Sequence, residues 1–220
     1  MRQRAKALAV AALTVATCWS SASQAAFFSY PRALGQLNRI NFEEPTLGPM
    51  AHARFCLRYK DDCQVRGVER HIAMTVERLN ELNSVNRQVN RDITPQPNLG
   101  GPATEEWIVS PRAGACHDYA VTKRHELLAQ GWPSSALLLS EVVVPSGEHH
   151  LVLVVAMRDS DTAEVNLVLD SLNDNLRPVG LTPYRWLRME SPDNPMFWST
   201  VSVPSHSHSA TLADKELLSR

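Results

Sequence analysis

Within the run "PRAGACHDYAVTKRHELL", residues 111–128, three side chains capable of chemistry stand together as Cys116, His117 and Asp118. A thiolate attacks electrophilic carbonyls, an imidazole moves protons near neutral pH, and a carboxylate orients an imidazole or binds a hard cation. Cys116 has four readings at this point: nucleophile, metal ligand, half of a disulfide, or buried thiol. The adjacent "CHD" alone carries little information. A thiol gains nucleophilic power when its anion is stabilised by a helix N-terminus or a nearby imidazolium. The imidazole has to come from His117, His125, His149 or His150. A metal site would join Cys116 or His117 to His149 or His150, or use His206 and His208 of "HSHS". The chain lacks the CxxC or HExxH spacing that marks such sites.

The elements around these residues decide which of them meet. A helix is expected from Cys116 to Gln130, stopped by Gly131 with Pro133 close behind. At ~100° per residue, Cys116, Ala120 and Leu127 share one stripe, so the cysteine sits at the helix N-terminus on the core-facing side. Three Val/Leu-rich runs follow: "ALLLSEVVV" (136–144), "HHLVLVVAM" (149–157) and "VNLVLD" (165–170). Short polar turns separate them, which predicts consecutive antiparallel strands, the middle one covered on both faces. The turn "RDSDTAE" centres near residue 161, so facing residues have numbers summing to about 322. That register puts His150 diagonally beside Asp170, and a shift by one substitutes His149. Either way an imidazole meets a carboxylate able to fix its tautomer, the role of a triad's third member. The competing use of Asp170 is to cap the following turn "SLNDN".

The rest of the chain sets the context. Residues 1–25 carry Arg2, Arg4 and Lys6, an apolar stretch from Ala7 to Val15, and small residues before Ala25. This is the pattern of a secretory signal peptide, and its apolar run is too short to span a bilayer. Its removal leaves 19 of the 22 basic residues against all 23 acidic ones, a mildly acidic chain with no basic run for nucleic acid. No later segment is apolar and long enough to predict a membrane span in the mature chain. Cys18 leaves with the signal peptide, so three cysteines remain in an oxidising compartment. Cys56 and Cys63 close a short loop within disulfide reach, which leaves Cys116 as a free thiol. Apolar residues from Val68 to Ile93 recur at three- and four-residue steps, predicting one long amphipathic helix with a solvated charged face. The expected organisation is one domain over 26–203, with a flexible tail over 204–220.

Three ordered blocks, "GACHDYAVTKRHELLAQGWP", "GEHHLVLVV" and "LVLDSLNDNLRP", resemble the bacterial transglutaminase-like cysteine peptidases, in particular the LapG-like periplasmic proteases that process adhesins. The resemblance covers about residues 30–200 and includes the cysteine pair in "FCLRYKDDC". It implies an α+β, papain/transglutaminase-like fold, with the nucleophile at a helix N-terminus packed on an antiparallel sheet. It implies a catalytic triad of Cys116, His150 and Asp170, because in this family an apolar strand follows the histidine directly, as in "HLVLV". The implied activity is hydrolysis of a protein substrate such as a surface adhesin, in the periplasm, with a periplasmic receptor domain as regulatory partner. Two other activities fit the same residues: acyl transfer to an amine, and binding by an inactive domain. In the LapG-like branch, acidic neighbours of the cysteine help hold calcium. Here Ala115 and His117 replace those oxygen donors, so Asp118 is the one candidate calcium ligand left and no cofactor is expected to be required. His117 is expected instead to favour the thiolate by its charge.

Overall fold

The structure, a computed structural model, describes residues 38–101, 103–159 and 163–204. The expected signal peptide and residues 205–220 of the expected tail lie outside the described residues. In chain order come strand β1 (Asn41–Thr46), helix α1 (Met50–Arg58), the short strand β2 (Ile72–Ala73) and helix α2 (Val76–Asp92). A two-stranded parallel ribbon of β3 (Thr94–Pro95) and β4 (Ala113–Gly114) leads into helix α3 (Cys116–Ala129). Six strands follow: β5 (Leu137–Val143), β6 (His149–Asp159), β7 (Ala163–Asp170), β8 (Asn173–Pro178), β9 (Arg185–Ser191) and β10 (Asn194–Ser202). The large sheet runs β1-β10-β9-β5-β6-β7-β8, all antiparallel, and β2 adds a short parallel bridge to β6. The architecture is α+β.

The Val/Leu-rich runs form β5, β6 and β7 side by side, with β6 between the other two in the sheet interior. Leu153 faces Leu169 and Val155 faces Leu167, the register in which facing numbers sum to 322. Both faces of β6 are buried. One face (Leu151, Leu153, Val155, Met157) packs with α3 and α2 in the larger core. The other (Val152, Val154) joins Val168, Trp186, Met189 and Val201 from three other strands in a second, smaller core. An antiparallel strand covered on both sides loses its polar alternation, as an interior strand of a parallel sheet does.

Two elements differ from the sequence expectation. The long helix begins at Val76, not near Val68, because the Thr75 hydroxyl accepts the Arg78 N–H at 3.2 Å and caps it there. Upstream, Ile72 is drawn into the bridge with Met157, and Val68 is left 91% exposed. The second is β1, a strand the sequence reading does not include, which pairs with β10 at the sheet edge.

Helix α3 is buried almost all round, which an apolar stripe alone does not foretell. Its Arg124, 1% exposed, donates from Nε to the Leu137 carbonyl at 3.0 Å and from a terminal nitrogen to the Asp62 carbonyl. Its Nε also lies 3.4 Å from Glu190 Oε2. Asp62 belongs to the loop closed by Cys56 and Cys63, whose sulfurs are 2.00 Å apart. Arg124 thus ties the helix that starts at Cys116 to that loop, to β5 and to β9.

Candidate active site

Cys116 is the first residue of α3, directly after the β4 ribbon. The Asp118 carboxylate folds back over this end of the helix, accepting the Ala115 N–H at 2.9 Å and the Ile108 N–H at 2.8 Å. Glycine is needed at 114, since a Cβ there would press into the Asp118 side chain. The Cys116 N–H lies in the first helical turn, where the helix offers it no partner.

The β6–β7 hairpin brings His150 and Asp170 to this point. His150 Nε2 is 2.7 Å from Asp170 Oδ1, and both residues are buried. Nδ1 is thereby left free of Asp170, and His150 and Cys116 line the same cleft. Asp170 has further support. The Tyr184 hydroxyl donates to its Oδ2, and the Leu172 N–H donates to Oδ1 at 3.0 Å. Its backbone is held from α2: the Asp170 N–H donates to Asn86 Oδ1 at 3.0 Å, and Asn90 Nδ2 donates to the Asp170 carbonyl at 3.0 Å. Asp170 both faces the imidazole and accepts from the following turn, so the two uses weighed from sequence coexist.

His149 goes elsewhere: its side chain is 67% exposed and its Nδ1 lies 2.5 Å from Glu141 Oε1. His125, on α3, lies 2.9 Å from Asp62 Oδ1, away from the thiol. His206 and His208 lie outside the described residues. His117 is buried and stacked on Trp107, with Nδ1 3.6 Å from Glu105 Oε1 and Nε2 3.4 Å from Asp118 Oδ2. It lines the same cleft as Cys116 and His150.

The electrostatics follow from these contacts. Burial pushes the Cys116 thiol up, but hydrogen bonds from His117 and His150, the charge on His150 and the Leu151 N–H bring it down to about 6. Burial pulls His150 down, and hydrogen bonds and charge from Asp170 and Cys116 outweigh this, raising it to about 9. Asp170 stays below the ordinary carboxylate range despite burial, because His150, Tyr184 and the Leu172 N–H all favour its anion. Between these values the pair is a thiolate and an imidazolium. A cleft with two lobes of about 410 and 550 Å³ opens on Cys116, His117 and His150. Such a site has an activated nucleophile, a proton donor beside it, and room for an extended chain on either side.

The description "bacterial transglutaminase-like cysteine proteinase" matches residues 42–206. The chain belongs to this family. Solved structures similar to it are those of Legionella pneumophila LapG. The EGTA-treated form is 21% identical with a TM-score of 0.44, covering 55% of this chain and 66% of LapG. The calcium-bound form is 20% identical with a TM-score of 0.46, covering 58% and 71%. A further LapG structure is 18% identical at 0.46, covering 65% and 77%. In the first of these, the match spans just under two thirds of the LapG chain. No curated protein matches.

Among the described residues no helix is long and apolar enough to cross a membrane. Tyr184 and Asn86 carry no sequence signal for their contacts with Asp170, whereas His117, next to Cys116, is expected from sequence to favour the thiolate.

Proposed function

We propose that the chain hydrolyses peptide bonds in an exported protein through Cys116, His150 and Asp170. The observation that carries this reading is that one buried imidazole, His150, lies 2.7 Å from the Asp170 carboxylate and lines the same cleft as the Cys116 thiol. The Cys116 thiolate attacks the scissile carbonyl, and its electron pair forms the C–S bond while the C=O π pair moves to oxygen. As the oxyanion collapses, the C–N bond breaks and the departing amine takes the His150 proton. Neutral His150 then accepts one proton from water, whose oxygen displaces sulfur to give a carboxylic acid that loses the second proton to solvent, and Cys116 returns as thiolate. Asp170 orients the ring and stabilises its charged form throughout.

The signal-peptide pattern supports placing the enzyme in the periplasm, where a surface adhesin is the expected substrate and a receptor domain the expected regulator. The residues beside Cys116 do not fit a calcium site. Calcium takes six to eight oxygen ligands, whereas Ala115 and His117 offer no oxygen from their side chains and, among the described residues, no cluster of three or more His, Cys, Asp or Glu side chains forms around Asp118. The reaction is therefore written with no metal.

The test compares surface proteins shed by cells carrying the wild type and Cys116→Ala. A fragment released only by the wild type supports the reading and identifies the substrate. Identical release patterns across growth conditions count against it.

A further inference from the structure

Lys123 takes no part in the reaction as written, yet it belongs to the helix that carries the nucleophile. It follows Cys116 on α3 by seven residues, about two turns, and so lies on the same side of the helix. It is fully buried, and its Nζ makes no hydrogen bond among the described residues. A methionine would fill the same space without the cost of burying an amine, so packing alone does not account for lysine here.

The groups around the amine belong to the support of Asp170. Tyr119, on the same helix, has its ring centroid 5.9 Å from Nζ. The carboxylates that pull on the ammonium are Asp170 at the end of β7 and Asp174 in β8. Helix α2 presents Asn86 and Asn90, one turn apart, to the same two residues. Asn86 uses both ends of its amide: Oδ1 accepts the Asp170 N–H, and Nδ2 donates to the Asn173 and Asp174 carbonyls at 2.9 and 3.1 Å. Asn90 uses only one end. Its Nδ2 donates to the Asp170 carbonyl at 3.0 Å and to Asp174 Oδ1 at 2.9 Å. Those two acceptors fix the orientation of the amide, which leaves Asn90 Oδ1 buried without a partner among the described residues. One buried donor and one buried acceptor thus stand unmatched about the same turn, and a buried water ordinarily joins such groups. We infer that Lys123 is a positioning residue: its Nζ, through a water shared with Asn90 Oδ1, ties the Cys116 helix to the turn that presents Asp170 to His150. An amine donates to water whether or not it carries its extra proton, so the bridge does not depend on charge.

The effect on turnover rests on the peptidase reading, whereas the ionisation of His150 does not, and the test reads both. NMR titration of His150 in the intact protein compares wild type, Lys123→Met, Asn90→Ala and the double variant. A loosened Asp170 gives the imidazolium less support, so in Lys123→Met the His150 inflection should fall from about 9, by roughly fivefold in its acid dissociation constant, as loss of one hydrogen bond implies. Near pH 9 the Lys123 amine is already neutral in the wild type, so the substitution removes no charge there. The double variant should match Asn90→Ala alone, because both substitutions break one bridge. Turnover of p-nitrophenyl acetate should fall about fivefold in Lys123→Met with the urea midpoint no lower than in the wild type, a combination that a merely structural role does not produce. A crystal structure that orders buried water should show one water bonded to both Lys123 Nζ and Asn90 Oδ1. A His150 inflection that stays put, or that rises as it would on loss of a nearby cation, overturns the inference. Additive effects in the double variant, or no such water, also overturn it. A His150 that responds as expected in a protein that releases no fragment through Cys116 removes the peptidase reading and leaves the inference standing.

Discussion

Replacing His150 by alanine should shift the ionisation of Cys116 by an amount large enough to measure directly. The thiol lies about 3 units below its ordinary value of 9.0, which corresponds to about 4 kcal/mol in favour of the buried anion. Burial opposes ionisation, and two of the four favourable contributions, a hydrogen bond and a charge, come from His150. His150→Ala leaves His117 and the Leu151 N–H to work against burial alone, so the thiol should move up towards its ordinary value. At pH 7 a thiol near 6 is about nine-tenths thiolate, and one near 9 is about 1% thiolate. The more basic thiolate is also the stronger nucleophile, which offsets part of that hundredfold difference in any single rate. The pH at which alkylation inflects is therefore the proper readout. Iodoacetamide labelling of Cys116, followed by mass spectrometry from acid to alkaline pH, should inflect near 6 in the wild type and well above neutrality in His150→Ala. An inflection that stays near 6 in the variant, or an unperturbed thiol in the wild type, would refute the ion pair.

Turnover should follow a bell in pH, rising through about 6 as Cys116 ionises and falling through about 9 as His150 loses its proton; a profile still rising above pH 9 contradicts this. Tyr184→Phe removes the hydroxyl that donates to Asp170, a bond to a charged group worth ~1.5–3 kcal/mol, so kcat/KM should fall about tenfold or more with the fold intact by circular dichroism. Lys123 is fully buried and its Nζ makes no hydrogen bond among the described residues, and burial pushes it down to about 7 against the pull of Asp170 and Asp174. Between about 7 and its ordinary 10.5 the unfolded chain holds a proton that the folded chain does not, so stability from this group rises with pH. Lys123→Met should accordingly raise the urea midpoint most at or below pH 7, with the gain shrinking as pH approaches 10.5. Calcium and EGTA should leave both turnover and Tm unchanged, whereas a calcium-dependent rise in Tm lost in Asp118→Asn would restore a metal site.

The middle of the chain was readable because its signals are local. Val/Leu runs with short polar turns fix the β5–β6–β7 order, and the turn centre near 161 already implies the register observed from Leu153–Leu169 to Asp159–Ala163. The diagonal approach of His150 to Asp170 follows from that register. What stayed hidden depends on tertiary contacts. Strands β9 and β10 carry a register shift between Asn194 and Trp198, and such a bulge breaks the period-two pattern that announces a strand. Asn86 is fully buried, yet it sits among Asn and Arg residues of α2 that read as a solvated face. Tyr184 reaches Asp170 from beyond β8, in a segment with no chemical signature of its own. The burial of Lys123 and Arg124 likewise comes from layers packed on several sides of α3, which no single stripe encodes.

The central claim is that Cys116 forms an acyl-enzyme which water resolves. The most direct measurement is mass spectrometry of proteolytic fragments generated from exported proteins in heavy-oxygen water, with labelled amine present. The account predicts fragments whose new C-terminal carboxylates carry one heavy oxygen, made by the wild type and absent with Cys116→Ala. Cleavage that persists in Cys116→Ala, or acyl groups found on the amine in place of heavy-oxygen carboxylates, would contradict it.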